Sequence, residues 1–203
     1  MPHIEISIVR LPEDFKKFDL VAGFLKFRKS IFVDRMAWPL HHSDGIEFEQ
    51  YDTFSDTAYV IAHMKGKVVG GARLKRTDKL TCNGKVQYSY MIRDAHLGLL
   101  PGMPNELCYN DPPVDQSCWE LTRLASEPIS GLSERILEAA NDYLFSIDAS
   151  ECLFLGPPAF LRMASKMGWT PKPLGSIVKN DDGRFLAFSC PVRQPEGAMG
   201  RFA

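Results

Sequence analysis

The segment TAYVIAHMKGKVVGGARLK (57–75) constrains the chain most. Two runs rich in Val, Ala, Ile and Tyr flank Lys65-Gly66-Lys67, the pattern of a β-hairpin. The pair Gly70-Gly71 inside the second run marks a bulge or a close backbone approach. Further strand signals lie on both sides. HIEISIVRL (3–11) alternates Ile4, Ile6 and Ile8. WELTRLAS (119–126), ECLFLG (151–156) and FLAFSCPV (185–192) follow, with ECLFLG reading as a central strand. Helices fall between them. Phe18, Val21, Phe24, Leu25, Arg28 and Phe32 recur at helical spacing and predict a helix from Glu13 to about Phe32. Ser133 to Phe145 is a second helix, and Pro157-Pro158 open a third that Gly168 stops. Strands interleaved with helices predict an α/β fold, a three-layer α/β/α sandwich with a mixed central sheet. No linker divides it, so 1–203 reads as one domain with a loose tail at 193–203.

Two stretches resist regular assignment. WPLHHSDGIEFEQYD (38–52) reads as an irregular loop, and YSYMI (88–92) as a strand or short helix. The Pro- and Gly-rich segment that follows, to Cys118, is a long surface excursion, and function is a common reason for one.

Composition narrows the function classes. A formal charge of −1 gives no support for a general nucleic-acid binder. No stretch approaches the roughly 20 apolar residues of a membrane helix, and the N-terminus is not a signal peptide. The five cysteines, at 82, 108, 118, 152 and 190, have neither metal-ligand nor CxxC spacing, which points to reduced thiols in a cytoplasm. His41-His42 lacks a third ligand, so no metal is expected. There is no GxGxxG or Walker sequence and no GxSxG elbow, and the prolines of GPPAF remove N–H groups that a phosphate cradle needs.

Charged residues within apolar frames are the more informative feature. Arg28 shares a helix face with Phe24 and Phe32. Either its stem covers the core while its head reaches water, or it points into a cavity beside Phe32 and Trp38. EFEQYD carries Glu47, Glu49 and Asp52, as a solvated face or as carboxylates that meet Arg28 or a ligand amine. Arg73 ends an apolar strand, in reach of an anion or simply at an edge in water. Glu120 and Arg123 in CWELTRL are three apart, so an ideal strand sends them to opposite faces. They serve one site only if the strand bulges between them.

Taken in order, FRKSIFVDRMAW, EQYD, GGARL and CWELTRL resemble the acyl-homoserine-lactone synthases, the autoinducer synthases. That family has an Arg, a Phe and a Trp spaced by four and six, matched by Arg28, Phe32 and Trp38. Its acidic pair three apart is matched by Glu49 and Asp52, its strand-end Arg by Arg73. Its Trp-Glu-x-Ser/Thr-Arg segment is matched by Trp119, Glu120, Thr122 and Arg123. Two departures stand out. Glu49 replaces the usual Asp, and Gly156-Pro157-Pro158 lacks the Thr often found near there in members preferring 3-oxoacyl chains, which leans against such a chain here.

The resemblance implies an acetyltransferase-like fold and a defined reaction. The amine of S-adenosylmethionine (SAM) takes an acyl group from a thioester on acyl carrier protein or coenzyme A. Lactonisation then releases methylthioadenosine and a quorum-sensing signal. SAM is a substrate, and no tightly bound cofactor is implied. Arg28, Phe32, Trp38, Arg73 and Trp119 are thereby assigned to SAM binding, under the helix and loop of 13–52. Glu49, Asp52, Glu120 and Arg123 are assigned to catalysis, Glu120 as base or proton relay. Backbone N–H groups beside a bulge would receive the thioester oxyanion. Arg10, Lys16, Lys17, Lys26 and Lys29 would face an acidic carrier. Two other readings remain: a coenzyme A-dependent N-acyltransferase on another amine, although KRTDKLTCNGK lacks the usual pyrophosphate turn, and a non-enzymatic protein of the same fold. Acyl length and oligomeric state are not encoded in any motif.

Overall fold

The computed structural model describes residues 3–181 and 183–195, so the expected loose tail lies outside the described residues beyond Pro195. In chain order the elements are β1 (Glu5–Arg10), α1 (Phe18–Arg28), β2 (His42–Ser43), β3 (Ile46–Glu47), β4 (Thr57–Met64), β5 (Lys67–Arg76), β6 (Thr81–Asn83), β7 (Val86–Tyr88), α2 (Met91–His96), β8 (Cys118–Ser126), α3 (Leu132–Ser146), β9 (Glu151–Gly156), α4 (Pro158–Lys166), β10 (Lys172–Pro173), β11 (Val178–Asn180) and β12 (Gly183–Pro191). The main sheet runs β1-β4-β5-β8-β9-β12-β10, with β11 beside β12. β8 and β9 are parallel because α3 carries the chain back over the sheet between them. Their neighbours pair antiparallel, as hairpin and meander connections allow, so the sheet is mixed.

Alternation along each strand sorts the two faces. Val60, Ala72, Leu74, Trp119, Leu121 and Phe154 pack with α3 and α4. On the other side, Tyr59, Ile61 and Ala125 meet Val21, Phe24 and Leu25 of α1. Gly71 makes that second contact possible. A Cβ there would fall 2.6 Å from the Val60 carbonyl oxygen and 2.8 Å from the Phe24 ring. Gly71→Ala is therefore expected to push α1 off the sheet and cost about 1–3 kcal/mol in chemical denaturation. An unchanged midpoint would show that α1 is not seated on this glycine.

Local structure corrects the sequence reading at both ends of the first helix. The first helix starts at Phe18, not Glu13, because Asp14 closes a tight turn: its side chain accepts the Arg10 N–H at 3.0 Å and its carbonyl the Lys17 N–H at 2.8 Å. At its other end the helix widens into a π turn over Lys29–Arg35, and such turns recur at functional sites. Ala37 then takes a left-handed conformation, φ 55°, and Trp38 stacks on Phe32 with ring centroids 5.2 Å apart. YSYMI, read as a strand or short helix, holds the end of β7 at Tyr88 and the start of helix α2 at Met91.

The sheet is split where it matters. β8 and β9 stay paired only from Cys118–Glu151 to Leu121–Phe154, although β8 continues to Ser126 and β9 to Gly156. Beyond Leu121 a wedge opens between the two strands.

Candidate active site

A bulge in β8 resolves the spacing problem of Glu120 and Arg123. Thr122 pairs with Arg73 and Ala125 with Gly71, so two residues of β8 stand opposite Ala72 alone. Arg123 takes φ 55°, and the inserted residue resets the alternation. Glu120, Thr122 and Arg123 thereby share the face covered by α1 and α2, and the bulge lies where the wedge opens.

Arg28 does not reach water. Its guanidinium is fully buried, pairs with Glu47 through Nε and forks onto Asp52 at 2.7 and 3.0 Å. Arg73, also fully buried, donates to Glu49 at 2.6 Å and to the Thr122 hydroxyl. Its Nη1 lies 3.2 Å from Asp52 without hydrogen-bond alignment, a buried donor left available. Arg123 closes the ring by donating to Glu49 at 2.7 Å and meeting Glu47 at 3.4 Å, with its guanidinium 5.7 Å from the Phe32 ring centroid.

Three arginines and three carboxylates thus brace one another. Burial alone would raise the Asp52 carboxyl, but Arg73 and Arg28 hold it well below the usual carboxylate range. Glu49 is lowered in the same way, against its burial, by Arg123, Arg73 and Arg28. The members differ in reach. Both Asp52 oxygens are engaged, by Arg28, the Tyr59 hydroxyl and the Glu49 N–H. The Glu49 side chain keeps 14% exposure and that of Arg123 6%, so these two face the opening beside Trp38.

Glu120 stands apart from this ring. It is fully buried and accepts the N–H groups of Met91 and Ile92, at 2.9 and 2.7 Å, where α2 begins. Burial pushes its carboxyl up to about 7, against those two donors and Arg73. Arg123 Nη1 approaches the Met91 sulfur at 3.9 Å, so α2 links Glu120 to the ionic ring.

One sequence assignment fails geometrically. Trp119 lies on the opposite face from Glu120, in the α3-side core against Tyr143, because adjacent strand residues alternate. It does not touch the ring, so a SAM-binding role for Trp119 is withdrawn. Glu47, read as part of a solvated face or as a carboxylate that meets Arg28 or a ligand amine, is buried by β3 against Arg28. Other parts were not foreseen. Tyr51 donates to Asp94 at 2.8 Å and lies under Arg73, tying that loop to α2. Lys75, fully buried, holds Asp56 at 2.6 Å and anchors the end of the loop to β5. The Asp/Glu density of 47–56 was the available signal, and pairing with interior strand cations was not visible in it.

A sequence profile for autoinducer synthases matches residues 15–100, the stretch that holds Arg28, the Phe32–Trp38 stack, the acidic loop and Arg73. An acyl-homoserine-lactone synthase of Pseudomonas aeruginosa is 23% identical over 182 residues, covering 88% of this chain and 82% of the relative. One from Ralstonia solanacearum is 35% identical over 120 residues, 58% of this chain and 48% of the relative, so that match spans about half the relative's length. In these stretches the chain is similar to the autoinducer synthases. Its fold agrees: a coenzyme A-dependent acyl-homoserine lactone synthase solved with SAM and isopentyl-CoA superposes with a TM-score of 0.79 at 20% identity, over 95% of this chain and 85% of that one. An N-acetyltransferase of Lactobacillus plantarum shares the architecture at a TM-score of 0.57 and 13% identity, covering 94% of this chain and 99% of that one. The chain is therefore an α/β protein of acetyltransferase-like fold. No helix among its described residues is long and apolar enough to cross a membrane.

Proposed function

We propose that this chain is an autoinducer synthase that acylates the amine of SAM from an acyl thioester and then closes the product to an acyl-homoserine lactone. The β8 bulge at Arg123 carries the reading. It gathers the ionic ring, the aromatic stack and Glu120 on one face, at the point where β8 parts from β9 and a thioester arm has space to enter.

The chemistry assigns roles by reach. SAM arrives with an ammonium, a carboxylate and a sulfonium. Glu49 and Arg123, the accessible pair, take the ammonium and the carboxylate. Phe32 and Trp38 offer ring faces to the sulfonium side. Arg28, Glu47, Asp52 and Arg73 hold these groups in place without contacting SAM, which makes Asp52 a positioning rather than a catalytic residue. Glu120, poised near neutrality, takes the amine proton through solvent. The freed amine nitrogen bonds the thioester carbon, the carbon–sulfur bond of the thioester breaks with its electron pair on sulfur, and the thiol leaves carrying the second nitrogen proton. The methionyl carboxylate oxygen then attacks its own γ-carbon, and the carbon–sulfur bond breaks with its electron pair on sulfur, releasing methylthioadenosine. Both steps rest on alignment.

A thioester of coenzyme A or of a carrier protein fits this scheme. The relative solved with isopentyl-CoA supports the first. Exposed Lys16, Lys17 and Lys26 on and beside α1 support the second, whereas Arg10 and Lys29 are already paired with Glu13 and Asp34. All five cysteines are unpaired, in keeping with a cytoplasmic setting. Calorimetry tests the substrate assignment. SAM alone should bind at one site, and Trp38→Ala should weaken it about three- to thirtyfold through loss of the ring face. A folded protein that takes up no SAM would contradict the proposal.

A further inference from the structure

Helix α2 grips Glu120 through the Met91 and Ile92 N–H groups of its first turn, yet it has only six residues. A helix that short does not hold its own shape in water, so this turn has to be fixed from outside. Its N-cap residue does not fix it. Tyr90 is extended and makes no side-chain cap, and its hydroxyl donates instead to the Pro113 carbonyl at 2.6 Å.

Asp94, the fourth residue of α2, is buried and turns its carboxylate back toward Ser89. Each oxygen accepts the Ser89 N–H at 3.0 Å, and Oδ1 also accepts the Ser89 hydroxyl at 2.9 Å. This closes the first turn much as a capping box does, by tying a side chain inside the helix to the backbone just before it. Oδ2 further accepts the Tyr51 hydroxyl at 2.8 Å. Among the described residues Asp94 forms no ion pair, so every bond of its side chain serves the turn or Tyr51.

Tyr51 carries the link onward. It lies between Glu49 and Asp52 in sequence and is buried. The Arg73 guanidinium sits 5.5 Å from its ring centroid, and Tyr88 meets the ring edge-on at 6.3 Å. One O–H···O bond therefore ties the loop that carries the acids of the ionic ring to the turn that orients Glu120.

Resting on the acylation reading above, we propose that Asp94 is a positioning residue for acyl transfer: it fixes the first turn of α2, and through that turn the Glu120 carboxylate, while Tyr51 sets the turn against the loop of the SAM site. Asp94 acts on the rate through Glu120 and not on SAM itself. Alignment of a base within a few tenths of an ångström is what such support supplies.

Asp94→Asn puts an amide donor where donors now converge, and Tyr51→Phe removes only the link to the loop. Steady-state kinetics with SAM and a productive thioester, with SAM affinity from calorimetry on the same preparations, read both variants. Asp94→Asn should lower kcat about 10–100-fold and Tyr51→Phe about three- to tenfold, each with the SAM Kd within about threefold of wild type. The same substitutions are then made in Glu120→Gln. There Asp94→Asn should lower the residual turnover less than about threefold, because the group it positions is already gone. An equal loss in both backgrounds would overturn the proposal, since Asp94 would then act independently of Glu120. So would a SAM affinity that falls in step with kcat, or a folded Asp94→Asn with wild-type turnover. If Asp94→Asn does not fold, Tyr51→Phe in the two backgrounds makes the same comparison, with an equal loss in both again overturning the proposal. No lactone from wild type with any thioester would overturn the acylation reading, and the positioning role with it.

Discussion

Replacing Glu120 by Gln is expected to lower turnover about 10²–10⁴-fold while changing SAM affinity little. Among the described residues the carboxylate forms no ion pair and is held by two N–H groups, so its removal leaves the ionic ring intact. Wild-type kcat/KM should rise with pH through about 7, the value to which burial pushes this carboxyl. The variant should lose that limb. Stability offers a second readout. The folded pKa lies above the unfolded value, so ionising Glu120 costs stability as pH rises from about 4.5 through about 7. The variant does not pay this cost, so wild type should lose stability relative to it across that window. If SAM binding disappeared while the fold survived, Glu120 would be a positioning group and the base would lie elsewhere.

The second large effect concerns the ring itself. Arg28→Ala removes the guanidinium that Glu47 and Asp52, two fully buried carboxylate side chains, share, and is expected to cost about 3–5 kcal/mol of stability at neutral pH. The pH dependence gives the sign. Asp52 and Glu49 have folded pKa values below their unfolded ones, so the stability they contribute is present above about pH 4 and fades as pH falls. Without Arg28 part of that contribution is already gone, so the wild-type advantage should narrow on acidification. Denaturant titrations at neutral and acid pH check this, and a constant difference would show that Arg28 contributes packing rather than charge.

Much of the fold was legible because its signals are local. The hairpin at 57–75, the Pro start and Gly stop of α4, and the apolar run of β9 each follow from a few neighbouring residues. The candidate bulge was legible too, as a geometric condition: Glu120 and Arg123 share a face only if β8 breaks register between them, and it does. The unread parts depend on contacts distant in sequence. Helix α2 has six residues, too short for periodicity to declare, yet it supplies the N–H pair that grips Glu120. Trp119 was carried into the site by its place in a motif, although strand alternation alone sends it to the far face. Arg28 at helical spacing fits snorkelling as well as burial, and only the acids folded over it from 47 and 52 decide between them.

Purified protein is mixed with SAM and, in parallel, acyl-CoA and acyl carrier protein thioesters, and methylthioadenosine and acyl-homoserine lactone are quantified by mass. The two products should appear together in equal amounts, their yield should depend on the thioester, and Glu120→Gln should suppress both. Methylthioadenosine without lactone, or an acylated amine other than that of SAM, would contradict the proposed reaction.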